Sequence, residues 1–179
     1  MSRIFWGRTR ILSATSFLLF NKGSKVQNMI HALKYKGRKD VGIFLGEEFG
    51  KILRSSPPWS QSEIIVPVPL HRKKFRKRGY NQSEQFALGL SASMDIPCSN
   101  ECLSRKNETG TQTHKSRFLR WNNVQDVFFV QNQAVLKGKT ILLVDDVITT
   151  GATLESCISA LSVVPGVNIS VATIAYARI

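Results

Sequence analysis

The stretch from Ile141 to Leu154, ILLVDDVITTGATL, decides the fold of this 179-residue chain. Its first four residues form a continuous apolar run after the turn at residues 137–139, which is typical of a strand buried on both faces. A small polar turn, Thr149 to Gly151, leads into the segment Ala152 to Leu161, where apolar residues at i, i+4 and i+7 predict a helix. Strand, polar turn and helix in this order predict an α/β fold with an anion site. Ligands bind beyond the carboxyl ends of parallel strands, and helix N-termini attract phosphate.

Two adjacent carboxylates, Asp145 and Asp146, lie between this strand and the turn. They would repel a phosphate unless another part of the ligand separated the charges. A ribose 5-phosphate meets this condition, because its 2- and 3-hydroxyls can donate hydrogen bonds to the acids while its phosphate lies in the turn. Glycine at position 151 and the neighbouring threonine hydroxyls suit the phosphate end of such a ligand.

Three other interpretations of the stretch compete with a ribose-phosphate site. A Walker-type nucleotide loop is disfavoured, because it requires the lysine of GxxxxGK[ST] and no lysine follows Lys139. A receiver domain also has an acidic strand end, but its acidic pair lies near the start of the domain, and only residues 147–179 follow here. The third alternative is an acidic strand end that caps the next helix.

The composition, with 42% hydrophobic and 21% charged residues, is ordinary for one domain of this length. The chain carries 25 Lys and Arg residues against 12 Asp and Glu, a formal net charge of +13, which predicts anionic partners. Phosphates and nucleic acid both satisfy that charge, so it does not choose between them.

Cys98, Cys102 and Cys157 are too few for a disulfide framework or for a closed zinc site, which needs four ligands. We therefore expect reduced thiols and a cytoplasmic location. No apolar run approaches the ~20 residues of a membrane span. The N-terminus up to Phe20 resembles a signal peptide only weakly, because serine and threonine interrupt its apolar part and Asn-Lys-Gly follows where small cleavage residues should be.

Apolar spacing predicts two helices before residue 54, the first of them capped by Ser24. A further helix is predicted after Asn81 or Ser83, either of which can serve as its N-cap. Short apolar segments rich in β-branched or aromatic residues predict strands. The first two helices are predicted at residues 24–37 and 41–53, and the strands at 64–66, 127–130 and 169–176.

A strongly basic run, Arg72 to Arg78, follows the strand predicted at residues 64–66 and holds six basic residues in seven. Such a run is usually a solvated face or a nucleic-acid patch. We expect a loop here, which would face the same side as the polar turn if both strands belong to one parallel sheet. Its arginines would then suit a pyrophosphate. A second basic group, at residues 34–39, is either a solvated bend or a basic rim to the site.

The segment Ser104 to Asn123 is polar, basic and without periodicity. An irregular segment of this length inside a compact domain predicts a mobile functional loop. Residues 1–23 mix aromatic and basic side chains and also lack a clear period.

Together these features resemble the ComF family, competence-associated proteins similar to amidophosphoribosyltransferases. The sequence VDDVITTGAT matches the ribose-phosphate motif of type I phosphoribosyltransferases, and the block VPVPLHRKKFRKRGYNQ at residues 66–82 narrows the resemblance. Further matches are LKYKGRKD at 33–40, Arg105 with Gln112, and Arg120 with Asn123 and Val124. The resemblance implies a type I phosphoribosyltransferase fold, in which a twisted parallel sheet is flanked by helices and carries a small hood.

The resemblance covers residues 24–179, which we predict to be the phosphoribosyltransferase domain. The family usually begins with a cysteine-rich zinc ribbon, and residues 1–23 contain no cysteine. We expect those residues to be an N-terminal segment, either a remnant adjoining a missing ribbon or the start of a family branch without the zinc module.

The resemblance also implies a role for each matching residue. Asp145 and Asp146 would hold the ribose hydroxyls and, with Arg105, would be catalytic. The segment Arg105 to Arg120 would form a flexible catalytic loop. The 5-phosphate would bind the turn, and the pyrophosphate would bind the start of the basic block. The phosphate residues are Thr149, Thr150, Gly151, Ala152 and Thr153, and the pyrophosphate residues are Leu70, His71 and Arg72, with Arg78 nearby.

The implied reaction is displacement of pyrophosphate from C1 of phosphoribosyl pyrophosphate by a nitrogen nucleophile, whose identity the sequence does not encode. Mg²⁺ is the implied cofactor, held mainly by substrate oxygens and water. The alternative is a non-catalytic protein of the same fold, which either binds single-stranded DNA or has a regulatory role. Competence proteins are expected partners. Phe75, Tyr80 and Trp121, interleaved with basic residues, offer a stacking surface for single-stranded DNA.

Overall fold

The computed structural model describes residues 2–106 and 127–177. The elements in chain order are β1 (Ser13–Phe20), α1 (Lys25–Tyr35), α2 (Lys39–Leu53), β2 (Ile64–Pro67), α3 (Arg72–Arg78), α4 (Gln82–Met94), β3 (Leu103–Arg105), β4 (Phe128–Val130), α5 (Gln133–Leu136), β5 (Thr140–Ile148), α6 (Ala152–Leu161) and β6 (Asn168–Ala177). Two short 3-10 turns cover Ser2–Phe5 and Trp59–Gln61. Within the described ranges, no helix is long and apolar enough to cross a membrane.

Four strands form a parallel sheet in the order β1, β6, β5, β2. Leu143 of β5 is the register partner of Val66 in β2 and of Val171 in β6. The segment after α4 covers the outer side of β2, because Ile65 exchanges backbone hydrogen bonds with Pro97 and Ser99. A separate antiparallel pair joins β3 to β4. The parallel sheet with flanking helices confirms the predicted α/β fold, and it directs the carboxyl ends of β2 and β5 to the same edge.

Side chains of the central strand alternate between two apolar cores. Ile141 and Leu143 pack with α6 on one face of the sheet, and Leu142 and Val144 pack with α1, α2 and α4 on the other. All four side chains are fully buried. This explains the unbroken apolar run in the sequence, because a parallel strand covered on both faces has no solvent side.

Helix α4 lies unusually close to α2, because both helices carry glycine where they cross. A Cβ atom added to Gly46 would lie 2.3 Å from the Phe86 carbonyl oxygen, and one added to Gly89 would lie 2.0 Å from the Ile43 carbonyl oxygen. The contact is therefore backbone on backbone, and it fixes the helix that carries Asn81 and Ser83 at its start.

Several predicted elements are confirmed within one or two residues. The first helix begins after Ser24, whose hydroxyl oxygen accepts from the Gln27 N–H at 3.3 Å. The second helix ends at Leu53 as predicted, and α6 and β6 lie where their patterns indicate. Asn81, rather than Ser83, caps α4, and its side chain accepts from the Ser83 N–H.

Two predicted boundaries are wrong. Strand β5 does not end before the acidic pair but continues through Asp145 and Asp146 to Ile148, because it keeps pairing with β6 as far as Tyr176. The basic run Arg72 to Arg78 is not a loop but helix α3, which starts at the N-cap His71 and ends at Gly79. The loop after β2 is correspondingly short.

Residues before 24, which the sequence-based division sets apart from the domain, contribute to both the sheet and the core. Residues 13–20 form β1, which pairs with β6 from Ser13 to Phe20. Phe5 is 1% exposed and packs into the core on the α6 side of the sheet. The Arg8 guanidinium forms an exposed ion pair with Glu155 of α6 at 3.0 Å.

Candidate active site

The sheet places an acidic pair, a polar turn and a basic loop at one edge. Strands β2 and β5 are parallel neighbours from Ile64 opposite Ile141 to Pro67 opposite Val144. The chain leaves β2 toward α3 and leaves β5 toward α6, so both connections emerge at the carboxyl edge. The structure thereby brings together two segments that are more than sixty residues apart in the sequence.

Asp145 is hydrogen-bonded both to α4 and to its own strand. Its Oδ1 accepts hydrogen bonds from the Ser83 hydroxyl and from the Asp146 N–H, each at 2.8 Å. Burial, and secondarily the charge of Asp146, raise the pKa of Asp145 to about 7. The two hydrogen bonds and the charge of Lys34 act in the opposite direction but are the weaker influences. The Asp145 carboxyl can therefore exchange a proton near neutral pH.

Asp146 has a cation of its own. Its Oδ1 accepts from the Val147 N–H at 2.6 Å, and its Oδ2 lies 2.9 Å from the Lys34 Nζ at the end of α1. The two side chains are only 14% and 21% exposed. The sequence left two interpretations of the basic group at residues 34–39, a solvated bend or a basic rim to the site. Lys34 fits the basic rim. The solvated bend holds for Arg38, which pairs with exposed Asp40 at 2.7 Å.

The polar turn has the geometry of an anion site. Gly151 adopts φ 84°, in the left-handed region that favours glycine, and helix α6 starts at the next residue. The first N–H groups of a helix have no partner within the helix and point outward with the positive end of its dipole. A cavity of about 40 Å³ lies here, lined by Asp145, Val147, Ile148, Thr149, Thr150, Gly151, Ala152, Thr153 and Leu154.

A second, larger cavity of about 330 Å³ opens between the loop after β2 and strand β3. It gathers most of the residues that the sequence assigns to pyrophosphate together with the predicted catalytic arginine: its lining includes Leu70, His71, Arg72 and Arg105. His71 is fixed as the N-cap of α3, because its Nδ1 accepts from the Lys73 N–H at 3.1 Å. The Arg105 guanidinium lies over the Phe128 ring at 5.2 Å.

Arg78 lies apart from that lining, at the far end of α3. Its guanidinium donates to Gln82 Oε1 at 2.6 Å and lies 5.3 Å above the Tyr35 ring. Beside it, the Tyr80 hydroxyl donates to the Leu33 carbonyl oxygen of α1. These contacts tie the end of α1 to the start of α4.

Comparison with known proteins agrees with this geometry. The model of the phosphoribosyl transferase domain matches residues 81–178, which is more than half of the chain. The chain belongs to the phosphoribosyl transferase family. Its solved neighbours include the glutamine phosphoribosylpyrophosphate amidotransferase of Bacillus subtilis, with a TM-score of 0.52 at 22% identity. That match covers 79% of this chain and 30% of the other, and it supports the fold.

Curated relatives of this phosphoribosyl transferase protein carry competence or DNA utilization names. The chain is similar to competence protein F of Haemophilus influenzae, at 40% identity over 52% of this chain and 41% of the relative. It is 30% identical to the DNA utilization protein YhgH of Escherichia coli K12, over 70% of this chain and 56% of the relative. The competence protein ComFC of Bacillus subtilis is 22% identical over 83% and 58%. The chain thus spans about half the length of these relatives.

Not every predicted site residue can be placed. The family resemblance assigns a catalytic loop to Arg105–Arg120, and only Arg105 and Lys106 of it lie in the described part of the chain. Gln112, Arg120 and Trp121 lie outside it. Sequence reasoning missed Lys34 and Ser83 as partners of the acidic pair, although Lys34 stands in the quoted LKYKGRKD block and Ser83 directly follows RGYNQ.

Proposed function

We propose that the protein binds phosphoribosyl pyrophosphate together with Mg²⁺ and displaces pyrophosphate from its C1 by a nitrogen nucleophile. The observation that carries the proposal is the pairing of β2 with β5, which sets the acidic pair and the polar turn beside the basic loop. Ribose, phosphate and pyrophosphate groups each meet a matching surface along this edge. The family membership supports the same chemistry.

Each part of the substrate has a distinct role in the proposal. Asp145 and Asp146 accept hydrogen bonds from the ribose hydroxyls, and the turn at residues 149–153 binds the 5-phosphate. The cavity of about 330 Å³ receives the pyrophosphate, where Arg72 and Arg105 neutralise the negative charge that grows as the C1–O bond breaks. The sugar carbon becomes oxocarbenium-like in such transfers, so a carboxylate held beside the ribose also stabilises the transition state.

The residues present fit a metal carried by the substrate. Across residues 2–106 and 127–177, no group of three or more His, Cys, Asp or Glu side chains converges on one point. In the proposal, Mg²⁺ is carried mainly by pyrophosphate oxygens and water, and its charge would offset that of the leaving group. The protein's own part is to orient the ribose and to exclude water from C1.

Asp145 also suits the transfer of a proton. A general base works best with a pKa near the operating pH, and the pKa of Asp145 is raised to about 7, mainly by burial. The nitrogen nucleophile loses a proton when it bonds to C1, and the Asp145 carboxylate is the group proposed to accept it. Protonation of Asp145 below pH 7 would then lower the rate.

A first experiment tests the ribose assignment. Asp145→Asn combined with Asp146→Asn should abolish calorimetrically detectable binding of phosphoribosyl pyrophosphate in the presence of Mg²⁺, while circular dichroism stays unchanged. Asp40→Asn is the matched control, because Asp40 is an exposed carboxylate paired with Arg38. Equal affinity in the double variant and the control would refute the assignment.

A second experiment tests the pyrophosphate assignment. The double variant Arg72→Ala, Arg105→Ala should weaken the binding of phosphoribosyl pyrophosphate more than that of ribose 5-phosphate. In the proposal, only phosphoribosyl pyrophosphate reaches the larger cavity. The control removes the same charge from α3 by Arg76→Ala with Lys77→Ala, two exposed residues that do not line it. Equal losses for both ligands would place the pyrophosphate elsewhere.

One observation favours a second candidate function, the handling of single-stranded DNA. Phe75 is 46% exposed on α3, and the basic residues around it are exposed as well. An aromatic ring among cations is a usual platform for stacked bases. The predicted contribution of Tyr80 is wrong, because its side chain is 5% exposed and donates to Leu33. Trp121 lies outside the described residues.

The two functions differ in their dependence on salt. The logarithm of the binding constant for an oligonucleotide should fall linearly with the logarithm of salt concentration. Phe75→Ala should reduce the binding free energy by about 1–3 kcal/mol for each base stacked on the ring. Binding in the phosphoribosyl site should respond mainly to Mg²⁺. An oligonucleotide affinity unchanged by Phe75→Ala would exclude this platform.

A further inference from the structure

Lys34 is a partly buried cation beside the acidic pair, and it comes from a helix outside both ligand-binding segments. Its Nζ lies 2.9 Å from Asp146 Oδ2, and its side chain is 21% exposed. Solvent screens the attraction between Lys34 and Asp146 less than it screens the exposed Lys51–Glu48 pair on α2. Lys34 is not among the core residues of α1, which are Ile30 and Leu33.

The end of α1 is held in place by the segment that follows α3. The buried Tyr80 hydroxyl donates to the carbonyl oxygen of Leu33, the residue before Lys34. On the following residue, the Tyr35 ring lies 5.3 Å below the Arg78 guanidinium. The backbone of Lys34 is therefore held between two contacts, one on the residue before it and one on the residue after it.

The same segment also fixes the other acid. Asn81 donates from Nδ2 to the Val68 carbonyl oxygen at 2.9 Å, which holds the loop after β2. Two residues later, the Ser83 hydroxyl donates to Asp145. The segment from Tyr80 to Ser83 thus sets the partners of both acids, Lys34 for Asp146 and its own serine for Asp145.

The contacts leave room for a ligand. A carboxylate offers about four acceptor positions on its two oxygens. The Val147 N–H occupies one position on Asp146 Oδ1, and Lys34 occupies one on Oδ2. Among the contacts of residues 2–106 and 127–177, one position on each oxygen is left for hydroxyl donors. Lys34 can accordingly hold the carboxylate in place without displacing a bound ribose.

We infer that Lys34 is a positioning residue of the phosphoribosyl site, which holds Asp146 toward the ligand and offsets the negative charge of the acidic pair. The inference rests on the proposed function, because it assigns the ribose to that pair. Its ligand class is a sugar phosphate, which has both hydroxyl donors and anionic groups. Without Lys34, no cation in the described part of the chain would be paired with the two carboxylates that face this anionic ligand.

The charge of Lys34 is also felt at Asp145. The groups that face Asp145 are Asp146 on its own strand, Lys34 from α1, the Ser83 hydroxyl from α4 and the Cys157 thiol from α6. Among them, Lys34 is the cation and lowers the pKa of Asp145. Its removal should raise that pKa further, which gives a measurement independent of any ligand.

The test replaces Lys34 by methionine, which keeps the length of the side chain and removes its charge. The titration midpoint of the Asp145 carboxyl, followed by carbon NMR, should rise in Lys34→Met and return in Lys34→Arg. Lys51→Met is the control, because it removes the same charge from the exposed pair on α2. A midpoint unchanged by Lys34→Met, or raised equally by the control, would overturn the inference.

Calorimetry with Mg²⁺ and phosphoribosyl pyrophosphate forms the second measurement. The affinity of Lys34→Met should fall about tenfold, as expected when a hydrogen bond to a charged group is lost, and Lys34→Arg should restore most of it. Wild-type affinity in Lys34→Met would overturn the inference. If the wild-type protein binds no phosphoribosyl pyrophosphate, the proposed function fails, while the titration still decides whether Lys34 sets the charge of the pair. Lys34→Gln serves if Lys34→Met does not fold.

Discussion

Replacing Asp145 by asparagine should stabilise the folded protein at pH 8 even though it removes a ligand-binding group. The pKa of this carboxyl is raised from 3.8 to about 7, first by burial and then by Asp146. Between pH 4 and 7 the unfolded chain has released the proton and the folded chain still holds it. Stability therefore falls as the pH rises through this range, and above pH 7 the folded protein carries a buried, unfavourable charge.

The size of the effect follows from the shift. A pKa shift of about three units, at 1.36 kcal/mol per unit, lowers the free energy of unfolding by about 4 kcal/mol above pH 7. Asp145 lies at an open cavity, so solvent reduces this value. Because part of the loss has already occurred at pH 5, we expect Asp145→Asn to gain about 1–3 kcal/mol relative to wild type between pH 5 and pH 8.

Urea unfolding at pH 5 and at pH 8, followed by circular dichroism, measures this gain. Asp40→Asn is the control, because the hydrogen bond from Arg38 lowers the pKa of Asp40, so this carboxyl is ionised at both pH values and the difference in stability between Asp40→Asn and wild type should be the same at pH 5 and pH 8. Its carboxylate contributes to stability above pH 4 and loses that contribution as the pH falls. If Asp145→Asn and wild type keep the same stability difference at both pH values, Asp145 titrates as in the unfolded chain and the reasoning is refuted.

Three further predictions concern packing and hydrogen bonding. Ser83→Ala should raise the Asp145 midpoint in the NMR titration, because the Ser83 hydroxyl bonds to the ionised carboxylate and lowers its pKa; an unchanged midpoint would contradict this. Gly46→Ala should lower the urea-unfolding free energy by about 2 kcal/mol, because the new Cβ meets backbone only 2.3 Å away. Gly50→Ala, whose nearest contact is the rotatable Ser93 hydroxyl, should stay within about 1 kcal/mol of wild type, and equal losses at both sites would refute the backbone contact. Phe5→Ala should cost about 3–5 kcal/mol, because the side chain is 1% exposed, and a change below 1 kcal/mol in the same assay would show that residues 2–5 add little to the core.

Local patterns were sufficient to predict the central elements of the fold. The run Ile141 to Val144 indicates a strand covered on both faces because all four side chains are buried. Helix α6 is equally clear, since Gly151 marks its start and apolar residues recur at helical spacing. The basic run was mistaken for a loop because charge carries no period, whereas α3 is fixed by the His71 cap and by Gly79.

Contacts between distant segments could not be predicted in the same way. Strand β1 has half-buried residues on both faces and no alternation, so its pairing with β6 leaves no pattern in the sequence. The ion pair between Lys34 and Asp146 joins residues more than a hundred positions apart. Both residues stand in recognisable blocks, but their proximity follows from how α1 packs on the sheet.

The bond between Tyr80 and α1 has a consequence for sequence drift in related proteins. The tyrosine donates to a main-chain carbonyl oxygen, which every amino acid at position 33 would supply. This bond therefore constrains position 80 and leaves position 33 to be set by core packing alone. The bond between Lys34 and Asp146 is different, because both partners are side chains. A related sequence that replaces the residue at position 34 or 146 should therefore replace the other as well. Tyr80 should be kept whatever residue stands at position 33.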